Sequence, residues 1–594
     1  MITAAAAFAP SKGPVVDVSE HLSQATSSLW LGLALLLLFF ALRPELWRRL
    51  WFTRVDPRPA ALMRIIFGGV VLWTLLDLLP TARLLFTDEG LWPTDAARKS
   101  YGGHLRLVWD PEHGLRSWAD LLHAIWGRFS LFHLRSDPPF VFAIFGLTIS
   151  ALIALIVGFY TRISALLAWL LVNTIYTYSP IFYAGGDTVV RTFLFLGLFT
   201  AWGEAYSIDA WRRRKRAILG DASELPPLRK IAAWPLRLMM LQLAIIYCAT
   251  GALKAGHTWF EGTALYYALC LDHFYRHPAQ IPMVVLLQQL WILPIATWIT
   301  KWWETLFPLA LLGAGLQAFE RERLAGTWIA AATWRRALSC VCLAGVIAVA
   351  ASIAGLVTLH YYDPKLGPIA LDPPTLAILI QIVVIVVPAA LVGLYLLIRR
   401  WPRAHAFTLR WVLGKRLWLG LGVIFHLGID LLMNVGTFVQ VMLAVYLIWL
   451  SGDELQRIWE HLGSRPLRAG EPGAPTPPKS RLGRLLSAPA RRLRARTRRP
   501  VYVVLYRPDP PSIRRAALLR CWDLCGRLDY EADPTAMSER LHLRRPDGAL
   551  LRGRDAAARL CRLFPGLWWL APFTYIPGLR ALAGALARRA LAQR

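Results

Sequence analysis

The sequence predicts an all-α polytopic membrane bundle of about eleven transmembrane helices, followed by a small C-terminal α/β domain. Three observations lead there: long apolar runs, basic connectors that recur between alternate runs, and a change of composition near residue 452. Of the 594 residues, 56% are hydrophobic and only 17% charged, and the mean hydropathy is +0.44. Soluble domains carry about a quarter charged residues. Crossing a bilayer takes roughly 20 apolar residues per helix, because the backbone there must satisfy its own hydrogen bonds. The 27 tryptophans fit the same solvent, since indole rings favour the membrane interface.

The runs fall near residues 28–42, 62–80, 138–158, 163–182, 190–206, 236–254, 300–317, 337–359, 375–398, 417–434 and 437–451. Basic connectors separate them: Arg43 to Arg64, Arg212 to Arg216, Arg321 to Arg336, Arg399 to Arg416, and everything after Arg457. Eleven alternating crossings put all of these on one side. Lys and Arg are retained in the cytoplasm, so the N-terminus is expected outside and the C-terminus inside. The formal charge of +29 then reads as topology. No nucleic-acid module signature appears, and nucleic acid is not expected as a partner. The first 27 residues carry few positive charges and no clear small-residue cleavage site, which argues against a removable secretory signal.

Two outer segments are long. Residues 81–137 contain Trp92, Trp109, Trp118 and Trp126, and the stretch SWADLLHAIWGRFSLFHL repeats its apolar positions at helical spacing. It is expected to lie along the interface as an amphipathic helix. Residues 255–299 are similarly aromatic and are expected to cap the mouth of the bundle. A crossing at 283–299 would break the charge alternation.

Beyond Gly452 the composition shifts. Residues 464–499 are rich in Pro, Gly and Arg and read as a cytoplasmic linker. From Ser451 to Arg594 there are 28 Lys and Arg against 12 Asp and Glu, a surplus of 16. The simplest partner for that surplus is the anionic inner leaflet of the membrane, at about 1 kcal/mol per basic residue near the surface. VYVVLYR (501–507) reads as a buried strand. A helix-period run, IRRAALLRCWDLCGRLDY, follows it, then a strand near Leu541–Leu543 and a helical tail. The expected divisions are 1–55 with the first helix, 56–451 as the main membrane domain, 452–499 as linker, and 500–594 as the α/β domain. The seven cysteines show no paired framework. Cys248, Cys340 and Cys342 fall in apolar runs, and Cys521, Cys525 and Cys561 fall in the tail. No metal site is expected.

An ionisable group within a transmembrane helix costs roughly 2.5–3.5 kcal/mol on insertion scales, which makes it a functional candidate. Lys254 ends the sixth run, in CATGALKAGHTW. Glu304 sits in KWWETLFPLALL, and His426 in FHLGIDLLMNVG. With Asp430 and Asn434, His426 is spaced i, i+4, i+8, so the three are expected on one helix face. Asp187 and Arg191 lie four apart in AGGDTVVRTFLF. Blander readings stand beside these. Arg64 reads as a snorkelling anchor, Asp187 with Arg191 as an ion pair at a helix start, and Asn434 as an interhelical hydrogen-bonder or turn former. Lys254, Glu304 and His426 lie on different helices, and mutual charge neutralisation within a bundle would explain their coexistence.

ALKAGHTWFEGTALYYAL resembles the lysine-containing segment of the vitamin K-dependent γ-carboxylases and of their bacterial relatives, the HTTM (horizontally transferred transmembrane) domain proteins. HLGIDLLMNVGTFVQVML, WWETLFP and GGDTVVRTFLFLGLF are similar to further blocks of that family, in the same order over roughly residues 56–451. The resemblance implies a bacterial inner-membrane protein and places Lys254 at the carboxylase base. Glu304 and His426 would be catalytic partners. Asp187, Arg191, Asp430 and Asn434 would hold a quinone or another lipid as cofactor or substrate, reached from an outward-facing pocket. The family's histidine after the fourth helix has no counterpart in YAGGDTVV, and the large lumenal domain is missing. Both departures argue against protein γ-carboxylation. A membrane or periplasmic protein partner and a non-enzymatic scaffold are the alternatives.

VYVVLYR, LRRPDGALLRGRDAAARL and LFPGLWWLAPFTYIPGLRAL resemble the DCC family of thioredoxin-like oxidoreductases. That family places a cysteine pair directly after its first strand, at a helix N-terminus that lowers the thiol pKa. Here the position reads RPDPPSIRR. Cys521 and Cys525 come later within the helix and read as buried core thiols. A kept thioredoxin-like fold and a lost redox reaction are what the resemblance implies.

Overall fold

The structure, a computed structural model, describes residues 18–100, 130–180, 184–220, 228–254, 256–277, 279–326, 331–361, 371–466, 496–498, 502–523, 528–535, 542–545, 547–576, 579 and 582. Trp109, Trp118, Trp126 and most of the stretch read as an interfacial helix lie outside the described residues, as do Cys525 and most of the 464–499 linker. The chain divides into two compact units. One comprises Met1–Thr53 and Arg237–Val435, the other Arg54–Leu236 and Gly436–Arg594.

The chain is an integral membrane protein by the length and composition of its helices. Among the described residues seven helices are long and apolar enough to cross a membrane: Ser23–Leu42, Arg58–Phe86, Pro138–Val157, Trp234–Leu253, Thr333–His360, Pro373–Ile398 and Pro402–Leu432. Two bent pairs bring the number to nine if each is one span, Gln280–Gln289 with Ile292–Leu306 (83°) and Phe438–Trp449 with Gly452–Ile458 (113°). On Pro373–Ile398 the side chains of Leu379, Ile382, Val386 and Leu394 are 44–53% exposed. Such a helix is stable only where the surroundings are themselves apolar.

The count departs from eleven at identifiable places. The runs at 163–182 and 190–206 form helices Thr161–Tyr176 and Gly185–Leu198, of 16 and 14 residues. At 1.5 Å per residue they reach about 24 Å and about 21 Å, short of the roughly 30 Å of hydrocarbon. The run at 300–317 does not form one helix. Ile292–Leu306 ends and Pro308–Leu324 begins at the Phe307–Pro308 junction, where proline lacks an N–H and its ring blocks the preceding turn. The last run is equally broken: Phe438–Val445 passes into a 3₁₀ turn, Tyr446–Trp449. Residues 283–299, expected as part of an outer cap, are helical through both arms of the 83° pair.

In the first unit the Thr333–Tyr361 helix packs on Val18–Leu42 and on Pro373–Ile398. Asp372 caps the last of these, its carboxylate accepting from Thr375 N at 3.1 Å, and Pro373 occupies the first helical position. In the second unit Arg58–Leu78 packs on Pro138–Val157, which packs on Thr161–Tyr176. A short antiparallel ribbon ties Arg54–Val55 to Ile231–Ala232.

The C-terminal region of the second unit forms a four-stranded sheet. Tyr502–Tyr506 is central, with Leu528–Ala532 parallel on one side and His542–Arg544 antiparallel on the other; Leu550–Arg552 is antiparallel at the edge. The helix-period run after the first strand stops at Trp522, and its end, from Leu528, is strand. Val504, Leu543, Ala556, Leu560, Cys561 and Phe564 form the core beneath the sheet. The Pro510–Trp522 helix docks on Ile208–Gly220, the helix of the Arg212–Arg216 cluster. Ile218, Ala517, Leu518 and Cys521 are buried between them with Trp211 against their edge, and the Trp211 and Trp522 rings lie 6.0 Å apart.

Candidate functional site

Tyr247, Thr250 and Lys254 lie at i, i+3 and i+7, so the Trp234–Leu253 helix and the residue after it present them on one face. Glu304 approaches from the last turn of Ile292–Leu306, not early in a separate crossing as the sequence suggested. Gly251 permits the approach, since a Cβ there would collide with the backbone of Glu304 and Thr305. The Lys254 ammonium donates to Glu304 Oε2, with side-chain exposures of 21% and 5%. Thr250 Oγ1 donates to the same oxygen at 3.3 Å. The ammonium also stands 5.4 Å from the centre of the Trp259 ring, within cation–π range.

One turn deeper on the same face is Tyr247, 3% exposed. Its ring lies 4.8 Å from Trp303 and 4.6 Å from Phe307. Its hydroxyl is 3.4 Å from Nε2 of fully buried His426. His426 Nδ1 is 2.7 Å from Gly422 O. A carbonyl can only accept, so Nδ1 carries a proton, and Nε2 of a neutral ring is left to accept from Tyr247. The three residues singled out as catalytic therefore belong to one constellation. Lys254 and Glu304 touch directly, and His426 joins through a tyrosine on the lysine's own helix.

A buried ammonium–carboxylate pair has a second state of the same net charge. Moving one proton from Lys254 Nζ to Glu304 Oε2 would leave a neutral amine beside a neutral acid. An amine in that state can accept a proton from an acidic substrate. Taking up that proton makes the pair cationic, and the substrate anion left behind balances it.

The other candidates are placed elsewhere. Asp430 faces Arg276, whose Nη1 lies 3.4 Å from its Oδ1 and also donates to the Asp430 carbonyl. Asn434 is not on the expected helix face. The helix ends at Leu432, Met433 is extended, and Asn434 N donates to Phe274 O at 2.9 Å. Gly436, at φ +59°, turns the chain just beyond. Both residues thus fasten the 271–277 loop to the end of that helix. Asp187 and Arg191 lie in the second unit. Asp187 caps the Gly185–Leu198 helix, accepting from Ala184 N at 2.8 Å, and Arg191 donates to Asn173 Oδ1 at 2.6 Å.

Arg64 is not a snorkelling anchor. It is fully buried and donates to Trp202 O at 3.0 Å and Tyr206 O at 2.5 Å. A Cβ at Gly158, whose φ is +70°, would strike this guanidinium and Ser207. Glycine is needed there on both counts.

Tyr247, Thr250, Gly251 and Arg276 escaped the sequence reading. The first two share the face of Lys254 and were open to a periodicity argument. Gly251 and Arg276 had no local signal, because their partners lie more than 50 positions away. Among the described residues no group of three or more His, Cys, Asp or Glu is placed to hold a metal. In the small domain Asp509 caps the Pro510–Trp522 helix, and the hydrogen bond from Ser512 N at 2.9 Å holds its carboxyl below the usual range. Cys521 lies in the last turn of that helix, where burial pushes its thiol pKa up against the opposing charge of Arg214. Both features suit a structural thiol. No family model, curated protein or solved structure matches this chain.

Proposed function

We propose that the chain is an HTTM-type inner-membrane protein acting by proton transfer on a lipid-soluble substrate such as a quinone, with Lys254 as base. Glu304 is its proton partner, and Tyr247 with His426 form the inner wall of the site. The C-terminal domain is read as a DCC-like thioredoxin fold without redox chemistry, on the cytoplasmic side, with the N-terminus outside. The observation that carries the reading is the Lys254–Glu304 pair itself, two opposite charges from separate apolar helices sharing one proton-bearing contact. Trp259 supplies an aromatic face beside the ammonium, and Tyr247 packs on Trp303 beneath it. The central strand, its parallel neighbour and the two antiparallel strands follow the order second, first, third, fourth, which supports the thioredoxin-like reading.

The test is Lys254→Met in full-length, detergent-purified protein. Mass spectrometry of the co-purifying lipids should find a quinone or related lipid with the native chain. That lipid should be lost from the variant while the variant stays monodisperse. Glu304→Gln keeps a hydrogen bond and should weaken retention less. The rival reading is a scaffold whose ion pair clamps two helices, favoured by the close approach at Gly251. A Lys254→Met protein with an unchanged lipid complement would decide for the scaffold.

A further inference from the structure

The first spanning helix, Ser23–Leu42, is followed by a second, short one. Arg43 takes a non-helical conformation (φ −125°, ψ +57°), and Pro44–Trp51 begins with proline at its first position. A single residue therefore separates the span from a helix of sequence PELWRRLW. At about 100° per residue, Leu46, Trp47, Leu50 and Trp51 fall within one arc of about 140°, and Glu45, Arg48 and Arg49 fall on the opposite side.

The polar side holds this helix in place. Glu45 pairs with Arg43 at 2.6 Å, and Arg49 with Glu322 at 2.5 Å. Arg237 reaches the C-terminal end, donating to the carbonyls of Arg49 and Leu50 and to Thr53 Oγ1 at 2.8 Å. Carbonyls that a helix end leaves open are satisfied in this way. All of these groups belong to the first unit. The apolar arc, by contrast, is open. Trp47 is 39% and Leu50 40% exposed, and Arg48 is exposed on the polar side. The Trp47 ring packs edge-on against Phe40 of the span at 4.9 Å and lies 5.7 Å from Trp51. Apolar surface thus continues from the exposed leucines of the span, Leu37 and Leu38, onto the arc.

A helix with tryptophan and leucine on one side and arginine on the other suits the boundary where acyl chains give way to headgroups. We propose that Pro44–Trp51 lies in that boundary, with Trp47 and Leu50 among the acyl chains and Arg48 on the phosphate of an anionic phospholipid. The occupant of the arc is a lipid leaflet, because the arc continues the surface of a membrane span and its other side is cationic. Arginine fits the role, since its forked donors complement a phosphate. The inference uses no residue of the Lys254 site and stands or falls apart from that reading.

The experiment is hydroxyl-radical footprinting, read peptide by peptide by mass spectrometry, on full-length protein in nanodiscs that hold one chain each. Discs of phosphatidylcholine alone are compared with discs that also contain phosphatidylglycerol. Oxidation of Trp47 is measured against the same peptide in the denatured chain. Lipid around the arc should protect Trp47 about tenfold, whereas its 39% exposure in water would allow no more than about threefold. Arg48→Glu should speed oxidation of Trp47 about threefold in the phosphatidylglycerol discs and leave it near the native rate in phosphatidylcholine. Protection of about threefold or less in the native chain would overturn the proposal, and that readout needs no variant to fold. An Arg48→Glu rate equal to the native rate in both lipids would also overturn it. So would protection that appears only when two chains share a disc, which would make a second copy the occupant of the arc.

Discussion

The two units each set a basic residue against apolar helices, half-buried Lys254 in one and fully buried Arg64 in the other, and satisfy it in opposite ways. Lys254 meets a side-chain carboxylate that can gain or lose a proton. Arg64 meets two backbone carbonyls that cannot. The first is a contact between two charged side chains, and the second is a guanidinium held by backbone oxygens. A buried charge in a membrane helix therefore reads as a candidate for chemistry when its partner titrates, and as a staple when its partner is backbone.

That contrast is open to direct attack, first with Glu304→Ala. Removing one member of a buried pair leaves the other uncompensated, and should cost about 3–5 kcal/mol. Thermal unfolding in detergent should also show most of the loss recovered in Lys254→Met/Glu304→Leu, where neither charge remains. If the double variant is no more stable than the single, the pair is not the coupled unit described here. Arg64→Lys should come next, at about 1–3 kcal/mol, because an ammonium lacks the planar fork that spans two carbonyls. A lysine as stable as arginine at that position would dissolve the distinction between the two units.

A smaller effect is expected at Asp209, which joins the Ile208–Gly220 helix to the start of Thr161–Tyr176. Its carboxylate accepts from Tyr160 N at 3.0 Å, Thr161 N at 2.8 Å and Thr161 Oγ1 at 2.6 Å. Burial alone would raise its pKa, but these hydrogen bonds prevail and hold it below the ordinary aspartate value. The stabilisation is then fully present above that ordinary value and is lost as the pH falls through the depressed one. Asp209→Ala should cost about 1–2 kcal/mol at neutral pH, as for a lost helix cap. The gap between the two proteins should close in acid, and a gap independent of pH would refute the assignment. The smallest change is expected from Tyr247→Phe, about 0.5–1.5 kcal/mol for one hydrogen bond. The site reading predicts that this variant retains less lipid while its melting temperature hardly moves.

Much of this was legible along the chain. The apolar runs at 62–80, 138–158, 236–254, 337–359 and 375–398 correspond to long helices, because a bilayer imposes one length on any helix that crosses it. Strand VYVVLYR was readable as five to seven apolar residues bounded by Pro and Arg. The breaks at Phe307–Pro308 and after Val445 were harder, since hydropathy averages across a proline or a turn. The strand at Leu528–Ala532 was hidden, because Leu528 and Tyr530 continue a helical period and only pairing with Tyr502–Tyr506 makes them extended.

The sequence alone determined that the chain belongs in a membrane, where its main apolar helices lie, and which charges were too costly there to be incidental. Each of those facts follows from local composition acting against one solvent. Only the tertiary structure decided which of those charges meet. Lys254 and Glu304 are 50 positions apart, and they touch because Gly251 lets one helix lie against the backbone of another. Asp430 resembles Glu304 in its sequence setting, yet it pairs with Arg276 because the 271–277 loop folds back onto its helix. Contacts of this kind depend on how helices cross, and no window of sequence contains that information.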